Sequence, residues 1–163
     1  MKANKPATPR DCPPDRVTRA QIDYYRPVDR SLRQPLKAAF VNAALVGSGG
    51  FIGAVFRYWL SGLALRAAPL AAFPYGTLAV NMLGCLLIGA GIGLADARQL
   101  FSLEFRLFAF VGVLGGFTTY STFGFDTFEL LRETEVARAA LNVTVHVVLG
   151  VVMVWAGYTL AAR

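Results

Sequence analysis

Gly115-Gly116-Phe117-Thr118-Thr119-Tyr120-Ser121-Thr122-Phe123 is the stretch from which the rest of the chain is read. It lies inside an uncharged run of 19 residues, Leu107 to Phe125, long enough to cross a bilayer core as a helix. The middle of that run is poor material for a helix facing lipid. Two adjacent glycines weaken a helix by about 1 kcal/mol each relative to alanine. Hydroxyls then follow at Thr118, Thr119, Tyr120, Ser121 and Thr122. In hydrocarbon every freed carbonyl or hydroxyl needs a partner, so broken backbone survives only when buried in protein or lining a wet cavity. A polar break at mid-membrane is where transporters and channels place ion sites. The competing reading is a glycine-kinked helix whose hydroxyls bond back to their own carbonyls. The aromatic setting tips the balance towards a site, because eight of the 12 phenylalanines lie between Phe101 and Phe128. Tyr120 and Phe123, three apart, share one helix face.

The composition fixes the class. The 163 residues are 55% hydrophobic and only 16% charged, too apolar and charge-poor for an ordinary soluble domain. This is an all-α membrane protein with room for one small bundle. The net charge of +6 does not indicate nucleic-acid binding, because the Lys and Arg residues sit in a tail and in loops. Cys12 lies in a polar tail and Cys85 in an apolar span, so they do not form a disulfide framework. With one histidine and no ligand cluster, there is no metal motif in the side chains.

Residues 1–37 hold six of the eight prolines and nine Lys/Arg. They show no sustained apolar period, so the segment reads as a disordered basic tail, and residues 38–163 as the four-helix transmembrane domain. The first span starts with the uncharged run Ala38–Phe56 and continues past Arg57 to Leu65. Gly49-x-x-x-Gly53 allows close backbone approach. Arg57 has two readings: snorkelling to the headgroups beside Tyr58 and Trp59, towards which its position leans, or facing a polar vestibule. Pro69 and Phe73-Pro74-Tyr75-Gly76 read as a loop. The second span runs from Thr77 to Ala95, with Thr77 and Asn81 four apart on one face and Gly89-x-x-x-Gly93 further on. The Asn81 carboxamide is either a helix–helix hydrogen bonder or a source of N–H donors for an anion.

Asp96–Arg106 reads as a charged loop and Leu107–Phe125 as the third span, broken at mid-membrane. The charges from Asp126 to Arg138 read as a solvated amphipathic connection, Asp126 excepted because it closes the polar span. The fourth span, Ala139–Ala162, carries Asn142, His146 and Gly150 every four residues. An intramembrane histidine is a functional candidate; the plain alternative is a neutral ring bonded to a neighbouring helix. So small a bundle hardly encloses a pore alone, so an oligomer is expected.

Gly53-Ala54-Val55-Phe56-Arg57-Tyr58, Gly76-Thr77-Leu78-Ala79-Val80-Asn81-Met82-Leu83-Gly84, Gly115 to Phe123 and Val154-Trp155-Ala156-Gly157 together resemble the Fluc/CrcB family of fluoride channels, over about residues 40–160. The resemblance implies an antiparallel homodimer-type bundle with two fluoride pores. It implies passive export that lowers cytoplasmic fluoride, and a structural sodium ion (Na+) at the dimer centre. By matching positions the sodium falls to the backbone carbonyls of Gly115 and Thr118. Fluoride would pass Asn81, the rings of Tyr120 and Phe123, the hydroxyls of Ser121 and Thr122, and a polar track at Asn142 and His146. Arg57, Thr77 and Asp126 would be vestibule or structural polar residues.

The chain departs from the family pattern where Tyr120 stands in place of the usual Phe. It departs again at His146, which stands where many members have a small hydroxyl residue. If His146 faces the pore, flux responds to mildly acid pH. Twelve Lys/Arg on the tail side against three opposite favour a cytoplasmic N-terminus. The expected setting is a multi-pass protein of the bacterial inner (plasma) membrane, paired with its own copy or with an oppositely inserted relative.

Two other functions compete. A small proton-coupled multidrug exporter needs a membrane-embedded carboxylate, and the four spans as bounded here contain none. A non-conducting membrane subunit explains the packing glycines but not the hydroxyl-rich break. No arrangement of nucleophile, base and acid supports an enzyme.

Overall fold

The computed structural model describes residues 36–67, 73–98 and 101–163. The basic tail up to residue 35, with Cys12, and the loop at Pro69 lie outside the described residues. Every regular element among the described residues is helical. Helix α1 is Leu36–Ala67, α2 is Tyr75–Arg98, and α6 is Val136–Ala161. The third span is assembled from pieces: α3 (Leu103–Arg106), a π-helical stretch Leu107–Leu114, α4 (Gly115–Phe117) and α5 (Tyr120–Arg132). Four helical stretches are long and apolar enough to cross a membrane: Ala38–Ala67, Tyr75–Ala97, Leu103–Arg132 and Val136–Ala161. The chain is a multi-pass membrane protein.

The spans outrun their apolar cores because their ends are capped in polar surroundings. Ser102 caps α3, its hydroxyl accepting from Phe105 N–H at 3.3 Å. α5 continues past Phe125 to Arg132, so Asp126 and Glu129 lie within a helix rather than in a connection. The turn that follows places Thr134 at φ 61°, while Thr134 N–H donates to Leu131 O and Glu135 N–H to Leu130 O. Those two bonds satisfy the last carbonyls of α5 in a left-handed cap. Arg132 pairs with Glu129 at 2.7 Å and Arg138 with Glu135 at 3.0 Å, all exposed, as a solvated face should.

Packing rests on glycine. On α1, a Cβ at Gly49 would strike Phe108 O and one at Gly53 would strike Val113 O, while Gly116 lies against Gly50 O. α1 and the third span therefore touch backbone to backbone. The α2–α6 seam is built the same way: Gly89 abuts Val154 O, Gly157 abuts Leu86 O, and a Cβ at Gly93 would come within 2.6 Å of Tyr158 O. Among the described residues the buried apolar side chains are Val80, Phe117, Leu130 and Ala139, while large apolar side chains such as Phe51, Trp59, Val151 and Trp155 are exposed. In water that surface would be unstable; in a bilayer it is covered by lipid or protein.

Candidate functional site: a break clamped by a carboxamide

The third span stops being helical at Thr118 (φ −79°, ψ 155°) and Thr119 (φ −147°, ψ 113°). The glycines expected to break it do not. Gly115 is helical at φ −65°, ψ −37°, and Gly116 serves the contact with Gly50 O. The break falls two residues later, where Asn81 on α2 reaches across. Its Oδ1 accepts from Thr119 N–H at 2.9 Å, and its Nδ2 donates to Thr119 O at 3.2 Å. Thr119 is thus held by both its backbone groups, its N–H finding on Asn81 the acceptor that the helix no longer supplies, as hydrocarbon requires. Of the two Asn81 N–H donors, one is used here and one remains for another acceptor.

Hydroxyls cluster at the break. Thr119 Oγ1 caps α5 by accepting from Thr122 N–H at 3.3 Å. It lies 3.2 Å from Ser121 Oγ and 3.0 Å from Thr122 Oγ1. Next to them is a cavity of about 350 Å³ lined by Arg57, Ser61, Thr77, Thr119 and Thr122 among others. Arg57, half-buried, lines this cavity. Thr77, buried, donates its hydroxyl to Asp126 Oδ2 at 2.6 Å. Two residues singled out separately in the sequence, 49 positions apart, are one hydrogen-bonded pair.

The aromatic rings continue the line. Tyr120 and Phe123 have centroids 5.6 Å apart, and Phe123 lies 4.5 Å from the His146 ring. Tyr120 is 84% exposed in the protomer. Below them the hydrogen bonds have fixed directions. Thr127 donates its only hydroxyl hydrogen to Phe123 O at 2.8 Å. Thr127 Oγ1 can therefore only accept from Asn142 Nδ2, at 2.9 Å. His146 Nδ1 sits 3.0 Å from Asn142 O; a carbonyl only accepts, so Nδ1 carries the proton. The buried Asn142 Oδ1 and His146 Nε2 are left without partners, and in the neutral ring both are acceptors. Asn142 is wholly buried and ties α6 to α5. His146 bonds within its own helix, not to a neighbour.

Sequence reasoning passed over two roles. Thr119 was read as one hydroxyl of a run, but it is the cap of α5; the signal was a Thr directly before a helix-forming stretch. Thr127 was not singled out, though it lies one turn beyond Phe123 on the same face. Among the described residues no group of three or more His, Cys, Asp or Glu converges as a metal site, and Cys85 is free. The arrangement can offer an anion one Asn81 N–H, several hydroxyls and the positive edges of aromatic rings, with a guanidinium in the adjoining cavity.

The sequence matches the family described as CrcB-like protein, Camphor Resistance (CrcB), over residues 44–158. It is 45% identical over 116 residues to the fluoride-specific ion channel FluC of Methylobacillus flagellatus, covering 71% of this chain and 91% of that protein. It is 42% identical over 120 residues to the protein of the same name from Agrobacterium fabrum, covering 74% and 95%. With that of Geobacter sulfurreducens it shares 48% over 114 residues, covering 70% and 90%. A four-span helical chain, broken where Asn81 grips it and matched along nearly the whole length of these relatives, belongs to the CrcB family, whose members matched here are named as ion channels and not as enzymes.

Proposed function

We propose that this chain is a passive, fluoride-selective channel of the plasma membrane that lets fluoride leave the cytoplasm and so lowers its concentration there. The observation that carries the reading is the convergence at the break: the clamped Thr119 peptide, the hydroxyl cluster, and Tyr120 and Phe123 on one face of α5. Fluoride is small and strongly hydrated, so its water must be replaced, yet a fixed charge in the narrow part would hold it. Neutral N–H and O–H donors and ring edges give moderate, distributed stabilisation, which conduction requires. In this reading fluoride collects near Arg57, passes Asn81, Ser121 and Thr122, and moves along Tyr120 and Phe123 towards His146.

Two copies inserted in opposite directions form the working unit, either identical chains or this chain with a relative. The exposed Tyr120 fits a site completed by a second surface. A sodium ion between the copies is held by the carbonyls of Gly115 and Thr118. The local structure suits it: Thr118 is extended, so its carbonyl points away from the helical ladder, and Gly115 is exposed. Carbonyl oxygens are hard ligands for a hard cation. When bound, the ion supplies a fixed positive charge that joins two broken spans.

The test is fluoride efflux from liposomes containing the purified protein, with chloride as control. Rapid fluoride release without chloride release is expected, and Asn81→Asp and Phe123→Ile each impair it while the dimer survives. Full flux in both variants removes the pore assignment. No release from folded protein, alone or with an oppositely inserted relative, removes the channel reading.

A further inference from the structure

The hydrogen bonds at the break release two carbonyls, and they do so through two identifiable side chains. In an unbroken helix, Thr119 N–H would donate to Gly115 O and Thr122 N–H to Thr118 O, four residues back. Neither does so. Thr119 N–H goes to Asn81 Oδ1 at 2.9 Å, and Thr122 N–H goes to Thr119 Oγ1 at 3.3 Å. One residue earlier the ladder is still closed, with Thr118 N–H on Leu114 O at 3.0 Å. The break leaves the carbonyls of Gly115 to Thr118 without ladder partners; the two assigned to the cation are the ones whose amides are taken up by the Asn81 and Thr119 side chains.

We infer that Asn81 and Thr119 are positioning residues for the cation site: each side chain takes up the amide N–H that would otherwise close on a ligand carbonyl, Asn81 freeing Gly115 O and Thr119 freeing Thr118 O. The inference rests on the sodium reading above and assigns the task to side chains that touch no cation themselves. An N–H returned to Gly115 O fills a lone pair and brings a positive hydrogen beside the ion, weakening the oxygen as a ligand. The same Asn81 carboxamide also holds Thr119 O at 3.2 Å, which keeps the Thr118–Thr119 backbone extended. Asn81 thereby couples the α2 face that carries Thr77 to the dimer centre, and one residue links the anion path to the cation.

The two side chains differ in what a conservative change preserves. Asn81→Asp retains an oxygen to accept from Thr119 N–H but loses the donor to Thr119 O; Asn81→Leu loses both. Thr119→Ser keeps the hydroxyl, and Thr119→Val removes it at nearly constant volume. The measurement is thermal unfolding of the purified protein against sodium concentration, with N-methylglucamine holding ionic strength constant. A bound ion stabilises the folded protein by RT ln(1 + [Na+]/Kd), so the sodium concentration at which the unfolding temperature starts its logarithmic rise marks the Kd and needs no flux.

The expected result is a tenfold or greater increase in that concentration for Asn81→Leu and for Thr119→Val, with Asn81→Asp and Thr119→Ser within about threefold of the parent, a factor under 1 kcal/mol. A general loss of stability lowers all unfolding temperatures without this pattern. If Asn81→Leu does not yield folded protein, Thr119→Val against Thr119→Ser decides. Unchanged sodium dependence in folded Asn81→Leu or Thr119→Val overturns the inference. If the parent protein itself shows no sodium effect yet conducts fluoride, the sodium reading falls and takes the inference with it. If sodium acts as expected but fluoride does not pass, the channel reading fails and the positioning role stands.

Discussion

The α2–α6 seam and the third span both place glycines at membrane depth, and they use them for opposite ends. Along the seam, Gly89, Gly93 and Gly157 each press backbone against backbone. Both helices there run unbroken, α2 over 24 residues and α6 over 26. In the third span Gly116 makes the same kind of contact with Gly50, yet the helix fails two residues later. What differs is the side chain opposite. The seam presents carbonyls already bonded in their own helix, whereas Asn81 presents a carboxamide that can satisfy both backbone groups of Thr119. Glycine permits approach; it takes a polar partner to make a break affordable in hydrocarbon.

The sharpest way to break this comparison is to remove that partner. Asn81→Leu leaves the N–H of Thr119 without a bond, at about 1–3 kcal/mol, and removes the second donor to Thr119 O. Fluoride efflux is expected to fall at least tenfold. A variant that conducts normally would show that the break does not depend on the clamp. Next in size, Gly157→Ala pushes a Cβ into Leu86 O. It is expected to lower stability by about 1–3 kcal/mol, the range for overpacking, measured as a drop in unfolding temperature. The molecules that remain folded should keep their fluoride selectivity. Altered selectivity would mean that seam and break are not separable.

A smaller effect is expected inside the site. Thr77→Val removes the hydroxyl that donates to Asp126 at 2.6 Å and leaves a half-buried carboxylate with one partner fewer. Hydrogen bonds to charged groups contribute about 1.5–3 kcal/mol, and partial exposure of Asp126 brings the expected loss to the lower end. Stability should fall less than in Gly157→Ala, and Thr77→Ser should restore it. A value unchanged from the parent would show that water replaces the hydroxyl. For His146, nitrogen NMR of the chain's single histidine should find the neutral ring protonated on Nδ1, as the Asn142 carbonyl dictates. The other tautomer would contradict the bond between His146 Nδ1 and Asn142 O.

The four spans were legible in the sequence because hydrocarbon demands long uncharged runs and little else imitates them. The neighbourhood of the break was legible too, since hydroxyls at mid-span have few explanations. Its position was not. Helix propensity singles out Gly115 and Gly116, but tertiary contact with α1 holds Gly116 helical and Asn81 moves the break to Thr118–Thr119. Arg57 is ambiguous in the sequence because snorkelling and a vestibule use the same residue at the same depth; that it lines a cavity with Ser61 and Thr77 depends on the neighbouring helices. Nor does any periodicity announce the π-helical stretch Leu107–Leu114. It becomes visible where Gly49 and Gly53 press on the carbonyls of Phe108 and Val113.

The finest test of the comparison is the glycine that fits neither use. A Cβ at Gly115 would meet only Phe110 O, at 3.9 Å, and its backbone is ordinary right-handed helix. Within one protomer, then, alanine fits there without strain. Restricting the unfolded chain then stabilises by about 0.4–1 kcal/mol. Nothing in the protomer accounts for a glycine there, whereas Gly112 and Gly116 each have a backbone against them. The missing neighbour is expected across the dimer, where a methyl group would stand beside the carbonyl assigned to sodium. Gly115→Ala should therefore change stability by less than about 1 kcal/mol without sodium, and the stabilisation that sodium adds should shrink. Equal gains with and without the ion would show that Gly115 faces lipid, and that the break, unlike the seam, is complete within a single chain.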